Sequence, residues 1–257
     1  MNVRLTYVHH NSFVLECAGR ALLFDLPSPE HLPAGARQVM ERAISGRDLF
    51  VFASHGHADH FDPDTPNLVS SAASAAFIYA DDIPDMYDEA TPPGALVVEP
   101  DERYSFHGLD IRTFLSNDLG VAFFVALPTP EGLLRVWHGG DLACWDWPEA
   151  APQERTFTRE FFGASLDRLE QALDGQTLHV AFQDTDQRLP GLAGGPLFLQ
   201  RLRPVLFAPM HSFGDMAFVR GLGAVLAEHH DPDQTRLFVY DTPGTEAVFQ
   251  IAIQQPS

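Results

Sequence analysis

Ser54-His55-Gly56-His57-Ala58-Asp59-His60 follows the apolar run Leu49-Phe50-Val51-Phe52-Ala53, and this junction decides how the rest of the chain is read. An uninterrupted apolar run bounded by polar residues reads as a buried strand, which places the four ligating side chains in the loop that leaves it. In such a loop His55 and His57 reach one metal ion, while Asp59 and His60 turn toward a second. Imidazole together with carboxylate suits zinc, manganese or iron. The plain alternative is a histidine-rich surface loop, and a position at the mouth of a buried strand speaks against it.

Two further polar residues close apolar runs. Asp141 follows Trp137-His138-Gly139-Gly140, where glycine lets the backbone turn sharply and approach a ligand closely. His211 ends the run over 205–210 and precedes Ser212-Phe213-Gly214. A turn aspartate and a satisfied core histidine are the bland readings of these two. Upstream, Tyr7-Val8-His9-His10-Asn11-Ser12-Phe13 and Leu22-Leu23-Phe24-Asp25 form a hairpin-like opening. Taken in this order, the stretches resemble the metallo-β-lactamase superfamily, whose leading motif is H-x-H-x-D-H. More narrowly they are similar to bacterial metal-dependent hydrolases related to ascorbate-6-phosphate lactonase. The resemblance implies an α/β (α+β) fold, a four-layer αββα sandwich with the metals at one edge. It also implies one hydrolase domain over 1–257, built of two pseudo-repeated halves that divide near residue 128.

The resemblance assigns His55 and His57 to a first metal, Asp59, His60 and His211 to a second, and Asp141 to both as a bridge. One ligand is missing. The superfamily's third histidine for the first metal corresponds here to Leu115-Ser116-Asn117-Asp118-Leu119-Gly120-Val121, which contains none. Asn117 or Asp118 supplies an oxygen in its place, or His138 substitutes from the neighbouring strand, or the centre holds a single ion. An oxygen ligand shifts preference from zinc toward a harder ion such as manganese. Asp25 is expected to fix the ligands through hydrogen bonds. His9 and His10 are candidates for contact with substrate or with the ligands. Arg188, in a segment resembling a family V-D-P-R stretch, is the candidate for binding a substrate anion, since guanidinium matches carboxylate and phosphate geometry. Trp145 and Trp147 either wall the pocket or pack under the loop.

Composition narrows the partners. The 257 residues carry a net charge of −19, and every one of the 16 basic residues is arginine. So many uncompensated carboxylates disfavour nucleic acid and anionic membranes, because phosphate binding needs a basic surface. A chain without lysine has neither a Schiff-base nor a P-loop lysine. Two cysteines, Cys17 and Cys144, make no disulfide framework and suit a reducing cytoplasm. No signal-peptide pattern opens the chain, and no apolar run approaches the roughly 18 residues that a spanning helix needs.

Periodicity supplies the elements. Strands are expected at 12–17, 20–24, 77–80, 95–98, 103–106, 109–115, 121–127, 133–138, 178–183, 205–210, 236–240 and 247–253. Helices are expected at 34–45, 158–173, 197–202 and 216–229, the second because Phe162, Leu166, Leu169 and Leu173 share one face ahead of Gly175. The expected activity is hydrolysis of a small ester, lactone or phosphate-bearing metabolite by hydroxide generated at one or two divalent ions. Zinc is the first choice, with manganese or iron as alternatives. Asp59 would orient the hydroxide and pass a proton to the leaving group. The competing reading is a non-catalytic metal-binding relative that holds a metabolite or protein, and a homo-oligomer is compatible with either.

Overall fold

In β3 (Arg20–Phe24) and β4 (Asp48–Ala53), side chains alternate between two buried faces. Ala21, Leu23, Leu49 and Val51 pack to one side, and Leu22, Phe24, Phe50 and Phe52 to the other. A strand apolar on both faces needs cover on both, and that requirement generates the layers. The computed structural model describes residues 1–227, 229 and 231–253.

Two seven-stranded sheets are built on one plan. In the first, β1 (Asn2–His9), β2 (Ser12–Cys17) and β3 pair antiparallel, and β4, β5 (Ser74–Ala80) and β6 (Leu96–Val98) then continue parallel from β3. In the second, β8 (Leu109–Leu115), β9 (Val121–Thr129) and β10 (Gly132–His138) pair antiparallel. Parallel strands β11 (Val180–Asp184), β12 (Leu206–Met210) and β13 (Arg236–Leu237) follow from β10. β7 (Arg103–Phe106) adds to the outer side of β8, and β14 (Glu246–Gln250) crosses back to pair with β1. The passage between sheets therefore falls between Val98 and Arg103, not near residue 128. Pro128 lies inside β9, paired with Leu133.

The sheets face each other across a core that includes Leu5, Phe13, Phe24, Phe52, Phe123, Val136 and Phe182. Helices α1 (Ala36–Ile44), α2 (Thr65–Leu68) and α3 (Asp82–Met86) cover the outer face of the first sheet through Met40, Ile44, Leu68 and Ile83. On the second sheet, α4 (Pro152–Leu173), α5 (Gly195–Leu202) and α6 (Met216–Val225) lay Phe162, Leu166, Phe198 and Leu222 against Trp137 and Phe207. The result is the expected αββα sandwich.

Some boundaries differ from the sequence expectation. β1, α2 and α3 have no counterpart in it. α4 starts six residues earlier than expected, at Pro152, because its first turn is set by a proline and by Glu154 accepting from the Ala151 amide, not by an apolar stripe. α6 stops at Val225 instead of 229, and within the expected span Glu228 lies outside the described residues. β13 ends at Leu237 as Tyr240 turns inward to donate its hydroxyl to Pro209 O. β14 ends at Gln250, where its partner β1 runs out at Asn2. No helix among the described residues is long and apolar enough to cross a membrane.

Candidate metal centre

The sheets bring their parallel strands to a common edge, and the polar residues predicted from strand ends meet there. Asp25 follows β3, the His55–His60 loop follows β4, and Asp141 follows β10. Asp184 ends β11 and His211 follows β12. Carboxyl ends of parallel strands are where open α/β sheets place ligands. The backbone is strained at this edge. His10, Asp25 and His211 all adopt positive φ, at 52°, 48° and 61°. Such strain in non-glycine residues persists only where surroundings over-determine it, commonly at functional sites. Gly140 also has φ 51°, and a Cβ there would lie 2.8 Å from Ser54 Cβ.

Each inner histidine is held by one nitrogen and aims the other inward. His60 Nδ1 lies 2.8 Å from Asp25 Oδ2, which leaves Nε2 3.2 Å from Asp141 Oδ1. His211 Nδ1 lies 3.0 Å from Asp186 Oδ2, with Nε2 3.9 Å from Asp141 Oδ2. His55 Nδ1 lies 3.0 Å from Ser54 Oγ, and Ser54 is itself anchored through its amide and hydroxyl to Asp25. A histidine whose far nitrogen is pinned by a carboxylate or hydroxyl is the usual metal-ready arrangement. Among the described residues, ligand atoms lie within 4.8 Å of one another in four groups: His55, His57 and Asp118; His55, His60 and Asp141; Asp141, Asp184 and His211; and His10, Asp59 and His60.

A cation fits this donor set. His55 Nε2, His60 Nε2 and Asp184 Oδ2 are buried without hydrogen-bond partners, an expensive state unless a ligand completes it. Burial, reinforced by the neighbouring His60, pushes the His55 imidazole down to about 3, so its lone pair is free at neutral pH. Burial would push His60 down as well, but the carboxylates of Asp141 and Asp25 outweigh it and hold His60 well above the usual histidine range. Burial would likewise raise Asp141, and His60 reverses that and holds it well below the carboxylate range. Asp184 goes the other way, pushed well up by burial and by the charge of Asp141. Protons thus occupy places where a divalent ion could supply the positive charge.

All six predicted ligands, His55, His57, Asp59, His60, Asp141 and His211, belong to these groups. Asp118 stands beside the first site, Oδ2 3.6 Å from His57 Nδ1. Asn117 does not serve as an oxygen donor there. Its Nδ2 donates to Ala143 O and Thr158 Oγ1, and its Oδ1 accepts from the Ala143 amide. His138 is no substitute ligand either: Nε2 meets Asn11 O, Nδ1 accepts from the Gly140 amide, and the ring stacks on Phe24. Asp25 accepts from the Ser54 amide and hydroxyl and lies 2.8 Å from His60 Nδ1.

Arg188 lies at the rim, half-exposed, with Nε and Nη2 on Asp186 and its guanidinium 4.3 Å over the Phe213 ring. Trp145 sits 5.0 Å from His211 between ring centres and donates Nε1 to Asp141 O. His9 stays at the partly buried edge, its ring 6.4 Å from that of His10.

Three residues were missed. Asn11 donates Nδ2 to Asp141 Oδ1 and Asp184 Oδ1 and accepts the His211 amide on Oδ1, tying both halves together. Asp184 and Asp186 close the apolar strand β11, the same signal that marked Asp141 and His211.

No protein-family model matches the chain, and no curated protein matches it. Solved structures do. A metallo hydrolase of the hyperthermophilic archaeon Ignicoccus hospitalis, Igni18, is 17% identical over 98% of this chain and 100% of its own, with a TM-score of 0.61. The metallo-β-lactamase fold protein YhfI of Bacillus subtilis is 11% identical over 97% and 100%, with a TM-score of 0.57. CmlA of Streptomyces venezuelae, a diiron β-hydroxylase, is 10% identical over 97% of this chain and 54% of its own, also at 0.57. What this chain shares with all three is the architecture, and its two-sheet sandwich is the metallo-β-lactamase fold.

Proposed function

We propose that this protein is a metal-dependent hydrolase acting on a small ester, lactone or phosphate-bearing metabolite. The observation that carries the reading is the pair of buried imidazole nitrogens, His55 Nε2 and His60 Nε2, that no hydrogen bond satisfies and that are grouped with the Asp141 carboxylate. His55, His57 and Asp118 would hold one ion and Asp59, His60 and His211 a second, with Asp141 between them. A divalent ion, when bound, supplies hydroxide at neutral pH by lowering the pKa of water from about 16 to about 7. Asp118 in place of an imidazole makes the first site oxygen-richer, which favours manganese or iron there over zinc.

The chain's own groups do the rest. Asp59, a third exposed in its side chain, is a carboxylate of the cluster that incoming substrate can reach. Its oxygens accept the proton of the attacking water and pass it to the leaving oxygen. Asp25 and Asp186 keep His60 and His211 in the tautomer with Nε2 facing inward. Arg188, with two nitrogens on Asp186, keeps Nη1 for a carboxylate or phosphate of the substrate. Phe213 and Trp147 hold its guanidinium plane from the sides. A net charge of −19 makes a small metabolite in a cytoplasmic setting a better partner than RNA or a membrane. The lactonase-like assignment draws on the sequence motifs.

Metal analysis of protein purified without chelator, followed by assays on generic phosphodiester, ester and lactone substrates, tests the proposal. Metal with turnover supports it, metal without turnover on any class favours the non-catalytic alternative, and a metal-free protein that cannot be loaded sinks both.

A further inference from the structure

His10 occupies the turn between β1 and β2 at φ 52°, a left-handed conformation uncommon for non-glycine residues. It is 2% exposed, and neither ring nitrogen has a hydrogen-bond partner. A substrate contact needs access that this residue lacks, and a packing role gives an imidazole no advantage over an apolar ring. The ring faces the metal cluster. Its Nε2 is 3.7 Å from Asp59 Oδ2, and its centre is 5.2 Å from that of His60 and 4.7 Å from that of His211. Phe213 packs beside His211, its ring 4.6 Å from that of His10 and 4.5 Å from that of His211. Ligand atoms of His10, Asp59 and His60 lie within 4.8 Å of one another.

We propose that His10 is an additional protein ligand, through Nε2, of the ion held by Asp59, His60, Asp141 and His211. The proposal rests on the reading of this edge as a metal centre. It accounts for the orphaned Nε2 and for the left-handed backbone that turns the ring toward the cluster. It also gives that site three imidazoles and two carboxylates, a donor number that suits six-coordinate manganese or iron(II) better than tetrahedral zinc.

The test uses Mn²⁺ as probe on chelator-stripped wild type, His10→Phe and His10→Asn. Phe keeps the ring volume, and Asn tolerates the left-handed backbone, so one or the other preserves the fold whichever constraint dominates. Calorimetric titration should show affinity of the site held by Asp59, His60, Asp141 and His211 falling by about 10-fold or more in both variants. X-ray absorption of the loaded proteins should count one imidazole fewer at the ion, while metal-free thermal midpoints stay near wild type in at least one variant. A folded variant that binds Mn²⁺ as tightly as wild type, or binds more weakly with an unchanged imidazole count, overturns the role of His10. Wild type that takes up no metal at all instead defeats the metal-centre reading itself.

Discussion

Asp186→Asn is the substitution that best tests how the centre is held. The Asp186 carboxylate receives His211 Nδ1 at 3.0 Å and the Arg188 amide at 2.8 Å, and its side chain is 1% exposed. Burial would raise its pKa, but the hydrogen bonds from His211 and Arg188 prevail and hold it below the usual carboxylate range. It is ionised at neutral pH, and its folding contribution is present above the unfolded carboxylate pKa and lost as pH falls through the lowered one. The amide keeps the shape and removes the charge that sets the His211 tautomer. Loss of such a partner typically weakens metal binding by about 10–100-fold. At a free ion concentration of about 100 times the wild-type Kd, binding stabilises the wild type by about 2.7 kcal/mol. The variant would retain about 1.4 kcal/mol at a 10-fold loss and about 0.4 kcal/mol at a 100-fold loss. Thermal unfolding with and without Zn²⁺ or Mn²⁺ reads this difference, and titration calorimetry gives the affinity directly. Equal metal-induced stabilisation in the two proteins would refute the argument that Asp186 orients a ligand.

Asp59→Asn should abolish turnover with an unchanged far-UV circular dichroism spectrum, and full activity on a confirmed substrate removes Asp59 from the mechanism. Stepwise chelation should strip the ion at His55, His57 and Asp118 before the other, and Asp118→Ala should weaken that site alone; two equally tight ions untouched by Asp118→Ala contradict this order. Metal affinity should rise with pH, because His60 and Asp184, both held above their ordinary ranges, must release protons to bind. A flat affinity between about pH 5.5 and 8 would show that these protons do not compete with the ion. Gly140→Ala should destabilise the fold by more than about 1 kcal/mol, since alanine pays for positive φ and its Cβ would meet Ser54 Cβ at 2.8 Å; an unchanged denaturation midpoint counts against that contact.

Much of the site was legible because its ligands share one local signature, a polar residue terminating an apolar run. His55, Asp141 and His211 stand just beyond the end of a buried strand and His60 closes the loop that leaves β4, while unbroken burial along β3 and β4 marks those strands as covered on both faces. The apolar stripe of α4 was readable for the same reason: Phe162, Leu166, Leu169 and Leu173 recur at helical spacing and are all buried. Its first turn was not, since proline and a capping glutamate carry no periodic signal.

What the order of residues determined by itself was most of the sequence of elements, the buried faces of the strands, and the concentration of imidazole and carboxylate donors in the His55–His60 loop. Tertiary structure alone decided which polar groups would be spent on holding others. Asn117 and His138 look like donors in the chain but are consumed by Ala143, Thr158, Asn11 and Gly140. Asn11 looks like a turn residue, yet it joins Asp184 across 173 positions and His211 across 200. It also decided the place where one sheet gives way to the other. The physical reason is that a strand's pattern fixes which face is apolar, whereas its neighbour is fixed by pairing between segments far apart in the chain. A hydrogen bond made across that pairing leaves no local trace in the sequence.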